Sequence, residues 1–180
     1  MGFSLYTWTI FLGVSLIFCS CDPAQPKYDS WLKTGGGNEN LKYSSLHQID
    51  TSNYDQLGVA WIYYSENKDS TKFGPMECNP IVVDGVMYGV SPKLKLFAIN
   101  AATGKELWIF NPADSVANKK WHRNSVNMNR GVAYWANGND KRIIYTVGPI
   151  VFCVNALTGN LVKSFGQEGG INLVNGLDRN

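Results

Sequence analysis

The feature that most constrains this chain is an internal repeat built on the turn Asn-Ala-x-Thr-Gly. It occurs as Asn100-Ala101-Ala102-Thr103-Gly104 and again as Asn155-Ala156-Leu157-Thr158-Gly159, with Gly104 and Gly159 55 positions apart. Each copy follows two β-rich segments and precedes a third. Upstream of the first, Ile81-Val82-Val83 and Val86 to Val90 flank Asp84-Gly85, a strong two-residue hairpin signal. Lys95 to Asn100 and Glu106 to Phe110 continue the pattern, so a four-stranded antiparallel meander is predicted. Arg142 to Val147, Ile150 to Asn155 and Leu161 to Phe165 repeat the order. A period of this length suits the blades of a β-propeller with loop insertions. One blade cannot bury both faces of its twisted sheet, so it needs neighbours, and the ring must close to protect its edges. Two clear blades and a partial one do not close a ring. The expectation is therefore an all-β fold comprising the N-terminal blades of a longer propeller, with a self-contained three-blade sandwich as the alternative.

The rest of the chain agrees with a strand-rich reading. Eighteen glycines, six tryptophans and nine tyrosines tilt the composition toward strands joined by tight turns. A net charge of +2, with Lys and Arg scattered, leaves no electrostatic footprint for nucleic acid. Trp31 to Asn40 carries three consecutive glycines and reads as turns, and Leu41 to Asp50 as irregular chain. Asp50 to Asn53 offers caps for a short helical turn over Tyr54 to Leu57. Val59 to Tyr64 is β-branched and aromatic, and a strand is predicted there.

The N-terminus has a separate character. Leu5 to Phe18 is apolar and uncharged, of a length for a signal-peptide core and short for a membrane span. Phe18-Cys19-Ser20-Cys21 resembles a bacterial lipoprotein signal with Cys21 as the lipidated residue. It lacks the usual basic residue at its start, and a plain secretory signal or an uncleaved anchor is the alternative. All three place the remainder outside the cytoplasm. The expected division is a signal peptide at 1–20, a polar, proline-containing tether at 21–30 and a partial propeller at 31–180. Cys78 and Cys153 have no metal-ligand spacing and read as buried free thiols, with a disulfide as the alternative.

Four stretches carry a family resemblance. Ala98 to Trp108 looks like the tryptophan-docking motif of the quinoprotein dehydrogenases, in which the glycine turns a corner and the tryptophan packs between blades. The second copy, Asn155 to Phe165, has Lys163 where the tryptophan would stand. Glu77 to Tyr88 resembles the segment in which dehydrogenases dependent on pyrroloquinoline quinone (PQQ) carry a cofactor-contacting glutamate three residues before a proline. Asn129-Arg130-Gly131-Val132-Ala133-Tyr134-Trp135 resembles the segment carrying their cofactor-binding arginine, and Tyr43 to Asp50 a segment near their N-terminus. The likeness runs from about Trp31 to Leu173 in the family's order.

The resemblance implies an eight-bladed propeller at full length, with Glu77 and Arg130 as cofactor-binding residues. Arginine suits that role because PQQ carries three carboxylates and the guanidinium fork binds carboxylate bidentately while staying charged. It also implies Ca²⁺, held by ligands beyond residue 180 together with the catalytic base. The base accepts a proton while hydride passes from an alcohol carbon to the quinone. No catalytic residue is therefore expected in this chain, and by itself it should be inactive. Alcohol-oxidising members carry adjacent cysteines six and five residues before the arginine. Asn124 and Ser125 stand there instead, which points to the glucose, sugar and polyol branch. Nearby His122 reads as a solvated loop residue. The implied partners are a sugar or alcohol substrate, a quinone or cytochrome electron acceptor and a membrane reached through the lipid anchor, with the cell envelope as location. Docking motifs of this kind also occur in non-catalytic propeller lipoproteins of envelope assembly, the alternative reading.

Overall fold

The computed structural model describes residues 30–65, 76–115 and 128–175. The signal peptide, Cys21 and nearly all of the tether lie outside these residues, as do His122, Asn124 and Ser125. The described residues form two four-stranded antiparallel sheets. The first is a meander of β1 (Ile81–Val83), β2 (Val86–Val90), β3 (Leu96–Asn100) and β4 (Glu106–Phe110). The second comprises β5 (Ala133–Asn137), β6 (Asp140–Val147), β7 (Ile150–Asn155) and β8 (Gly170–Asn172). Among the described residues no helix is long and apolar enough to cross a membrane.

The predicted hairpin forms as its residues dictate. Asp84 (φ 51°) and Gly85 (φ 75°) are both left-handed, as a type I′ turn requires, and Val83 pairs with Val86 across it. The repeated turn is likewise encoded locally. Asn100 Oδ1 accepts from the amides of Ala102 and Thr103, and Asn155 Oδ1 from those of Leu157 and Thr158. Gly104 N–H and Gly159 N–H then close back onto the carbonyls of Asn100 and Asn155. Asparagine supplies the acceptor that a backbone turn would otherwise lack.

The two sheets share one core. Ile81, Tyr88, Leu96 and Ala98 from the first pack with Ile143, Tyr145, Phe152 and Val154 from the second. Phe110 meets Tyr145 and Phe152 edge-on, with centroids 6.2 and 5.7 Å apart. Above this layer Trp108 lies on Gly159. A Cβ at Gly159 would sit 2.8 Å from the indole ring, so only glycine permits this approach. Trp108 Nε1 donates to the Ala156 carbonyl at 3.1 Å, and Tyr88 Oη donates to the same oxygen at 3.2 Å. A bulge helps to aim the indole: Ala98 pairs with Trp108 and Ile99 with Glu106, leaving Leu107 unpaired. An ion pair, Lys141 Nζ to Asp84 Oδ2 at 2.7 Å, also links the sheets.

Two predicted strands differ. Val59 to Tyr64 has no regular secondary structure and joins no ladder among the described residues. It is held by side chains: Trp61 Nε1 donates to the Ala101 carbonyl at 3.1 Å, its ring covers Gly104, and Tyr63 Oη donates to Glu106 at 2.8 Å. Trp61 thus stands to the first turn as Trp108 stands to the second. Leu161 to Phe165 is also no continuous strand. Leu161 bridges Val154 and Val162 N–H donates to Cys153, but the chain then leaves through turns and returns as β8 beside β7. Phe165 N–H donates to the Val162 carbonyl at 2.9 Å, a turn that ends the stretch, and positive φ at Gly166, Glu168 and Gly169 turns the chain again before β8. Lys163 falls in the excursion and takes no docking position. Cys78 and Cys153 are free thiols, the second fully buried and the first half-buried.

Two outcomes follow for stability. Gly85→Ala and Gly159→Ala both place alanine at a left-handed φ, with a strain of about 1–2 kcal/mol. A Cβ at Gly85 meets open space, whereas at Gly159 it displaces the indole. Urea unfolding should therefore show Gly159→Ala losing clearly more than Gly85→Ala, and equal losses would refute the docking role. The second concerns alkaline pH. Burial pushes the Tyr88 phenol up to about 12 from 10.0, and the neighbouring Tyr134 and Asp84 charges add to the shift. The unfolded chain loses this proton first, so stability is full below pH 10 and falls between pH 10 and about 12. Tyr88→Phe removes this titration, so urea unfolding across roughly pH 9–12 should show a smaller alkaline loss of stability in the variant, and an equal loss would refute the linkage. Part of the alkaline decline remains in the variant, because burial also raises Tyr145 well above its ordinary value.

Candidate functional site

The two stretches singled out for cofactor binding enter the sheets from separate loops. Glu77-Cys78-Asn79 leads through Pro80 into β1, and Asn129-Arg130-Gly131 leads into β5. Neither stretch is regular secondary structure, so each depends on explicit hydrogen bonds for its shape.

Asn129 is the anchor of the second stretch. It is 7% exposed, and both ends of its amide are used. Nδ2 donates to the Thr146 carbonyl on β6 at 2.9 Å, and Oδ1 accepts from Gly131 N–H at 2.9 Å. The short loop around Arg130 is thereby pinned to the sheet it is about to enter. Asn79 supplies the tie from the other side. Its backbone N–H and its Nδ2 both donate to the Arg130 carbonyl, at 3.1 and 3.2 Å, and a parallel bridge pairs it with Gly131. Cys78, one residue earlier, accepts from Val90 N–H at 3.3 Å through Sγ, which ties this stretch to β2. Burial pushes the Cys78 thiol up, so at neutral pH it stays protonated and packs as a small apolar group.

Glu77 and Arg130 are thus presented by adjoining segments, and both residues are exposed. Among the described residues no carboxylate pairs with Arg130. Two cations on β6 are matched: Arg142 by Asp140 at 2.5 Å and Lys141 by Asp84. Arg142 also lies over the Trp135 ring, 5.1 Å from its centroid, so that side chain serves the β5–β6 edge. An exposed guanidinium on a pinned backbone, with no carboxylate of its own among the described residues, is chemically suited to a multiply carboxylated ligand. Among the described residues no group of three or more His, Cys, Asp or Glu could hold a metal.

The sequence singled out Glu77 and Arg130, and the structure brings their segments together. The roles of Asn79, Asn129 and Cys78 were missed. An asparagine two residues before a glycine, ahead of a blade, was a weak signal for Asn129. Nothing local marks Asn79, whose partner lies 51 residues away.

Comparison with known proteins bears on the family and fold of the chain. The glycerol dehydrogenase large subunit of Gluconobacter oxydans is 31% identical over 166 residues, which is 86% of this chain and 22% of that protein. The quinohemoprotein alcohol dehydrogenase ADH IIB of Pseudomonas putida is 34% identical over 135 residues, 74% of this chain and 18% of that one. The crystal structure of quinohemoprotein alcohol dehydrogenase from Comamonas testosteroni superposes with a TM-score of 0.63 at 25% identity, covering 85% of this chain and 21% of that one. This chain therefore spans about a fifth of the length of the relatives it matches. Residues 31–180 match the model of the glucose/ethanol/alcohol dehydrogenase β-propeller domain. With its repeated blades and its docked tryptophans, the chain belongs to this family of PQQ-dependent dehydrogenase β-propellers.

Proposed function

We propose that the chain is part of a PQQ-dependent dehydrogenase that oxidises a sugar, polyol or other alcohol, and that Glu77 and Arg130 are its contribution to cofactor binding. One observation carries this reading: Asn79 bonds to the Arg130 carbonyl and so joins the Glu77 and Arg130 stretches, which are far apart in sequence. PQQ, when bound, supplies an orthoquinone able to accept hydride from an alcohol carbon. Arg130 neutralises a carboxylate through two parallel N–H bonds and holds the ligand in register. Glu77 accepts a hydrogen bond, or holds a proton, at a polar group of the ligand. In this reading both residues would bind and orient the ligand.

The Ca²⁺ ligands and the base that takes the alcohol proton are assigned to sequence other than this chain. The names of the relatives, alcohol and glycerol dehydrogenases, support an alcohol or polyol as substrate. Asn124 and Ser125, in place of adjacent cysteines, favour the sugar and polyol side of that range. Electrons then pass to a quinone or cytochrome. A lipid on Cys21 would hold the protein to the cell envelope.

The test is Arg130→Ala in the longest natural polypeptide containing this sequence, with PQQ titrated in the presence of Ca²⁺. Loss of a charge-assisted bond worth roughly 1.5–3 kcal/mol corresponds to a Kd raised about 10- to 100-fold. The thermal midpoint should hold, since the side chain is exposed. Unchanged affinity would sink the cofactor reading and favour a non-catalytic propeller. A second outcome concerns the 180 residues expressed alone, which should give no turnover in a dye-linked assay with added PQQ and Ca²⁺. Measurable turnover there would mean that the base lies within this chain.

A further inference from the structure

We infer that Asn79 is a positioning residue for Arg130, acting across the two sheets and not on the ligand. The inference rests on the reading of Arg130 as a PQQ contact. A guanidinium on a long flexible stem is placed only as well as its own backbone, and every degree of freedom left in that backbone is lost again when a ligand is held. Around Arg130 the backbone is held from both sides. Asn129 spans from the Thr146 carbonyl to Gly131 N–H, which binds the loop to its own sheet. Asn79 places two donors on the carbonyl of Arg130 itself, and it comes from the loop that leads into the first sheet.

The second of these donors is particular to the side chain. Any residue except proline at position 79 would keep the backbone N–H bond to Arg130, but alanine would lose the Nδ2 bond. Asn79 is itself steadied by Cys78, whose Sγ accepts from Val90 N–H on β2. The path is therefore short: β2, Cys78, Asn79, then the Arg130 carbonyl. Glu77 is the residue before Cys78, so the same path sets the separation of the two proposed contacts. A structural tie between sheets would be the simpler role, but Asn79 is exposed and the sheets already share a large core and the Trp108 docking contact. Removing one exposed bond from such a joint changes global stability little.

The experiment is a double-mutant cycle on PQQ affinity with Asn79→Ala, Arg130→Ala and the double variant. It uses the longest natural polypeptide containing this sequence, with PQQ and Ca²⁺, and thermal midpoints are measured alongside. Asn79→Ala is expected to raise the Kd about 3- to 10-fold, the size of one neutral hydrogen bond. In the Arg130→Ala background it should have no further effect, because its action runs through Arg130. An equal loss in both backgrounds would show that Asn79 acts independently and would overturn the inference. If Arg130→Ala weakens binding and Asn79→Ala does not, the positioning role falls and the cofactor reading stands. If Arg130→Ala leaves affinity unchanged, both fall. Should Asn79→Ala fold poorly, Asn79→Ser retains a donor and must bind more tightly than alanine for the inference to survive.

Discussion

The carbonyl of Ala156 is the point on which the joint between the two sheets depends. It accepts from Trp108 Nε1 and from Tyr88 Oη, both of the first sheet, while belonging to the turn that follows the third strand of the second. Two donors on one oxygen satisfy three polar groups that the packing would otherwise strand away from water. The indole can reach this oxygen only because Gly159 has no Cβ, and the turn around Gly159 exists only because Asn155 caps it from within. One local sequence motif thus creates both the acceptor and the empty space that its neighbour fills. Trp61 on Ala101 and Gly104 repeats the arrangement one step earlier, which makes it a rule of assembly in this chain.

The candidate site is a consequence of that assembly. Glu77 and Arg130 belong to loops preceding different sheets, and their relation to each other is set by how the sheets pack. With the sheets docked, Asn79 reaches the Arg130 carbonyl and the two loops run beside each other. Tertiary packing supplies the coarse placement, and three small polar ties, Cys78 to Val90, Asn79 to Arg130 and Asn129 to Thr146, supply the fine one. Pinning the backbone while leaving the guanidinium exposed is the arrangement a binding residue needs, since ordering is completed before the ligand arrives.

Legibility followed the range of the interactions involved. The Asp84-Gly85 hairpin and both Asn-Ala-x-Thr-Gly turns were readable because residues within a few positions determine them. Val59 to Tyr64 has the composition of a strand, yet a strand needs an edge to pair with, and this segment joins no ladder among the described residues and is anchored by the Trp61 and Tyr63 side chains. Leu161 to Phe165 looked continuous with its repeat, but Phe165 N–H closes a turn onto the Val162 carbonyl, so only Leu161 bridges β7 and the sheet's last strand is the later β8. The absent tryptophan at Lys163 was the local sign that this copy would depart from the pattern.

The sequence by itself determined the four strands of the first sheet, β6 and β7 of the second, the turns between them and Trp108 as a docking residue, and it singled out two candidate cofactor contacts, Glu77 and Arg130. All of these rest on local backbone preference, on period, or on recognisable motifs. Only the tertiary structure decided that Trp108 and Tyr88 share the Ala156 carbonyl, that Val59 to Tyr64 is a segment anchored by its side chains, and that Asn79 holds the loop carrying Arg130. Each of those contacts joins groups 40 or more residues apart, where no preference of either segment alone specifies the partner. Shape and the need to satisfy buried polar groups choose it once the sheets have packed.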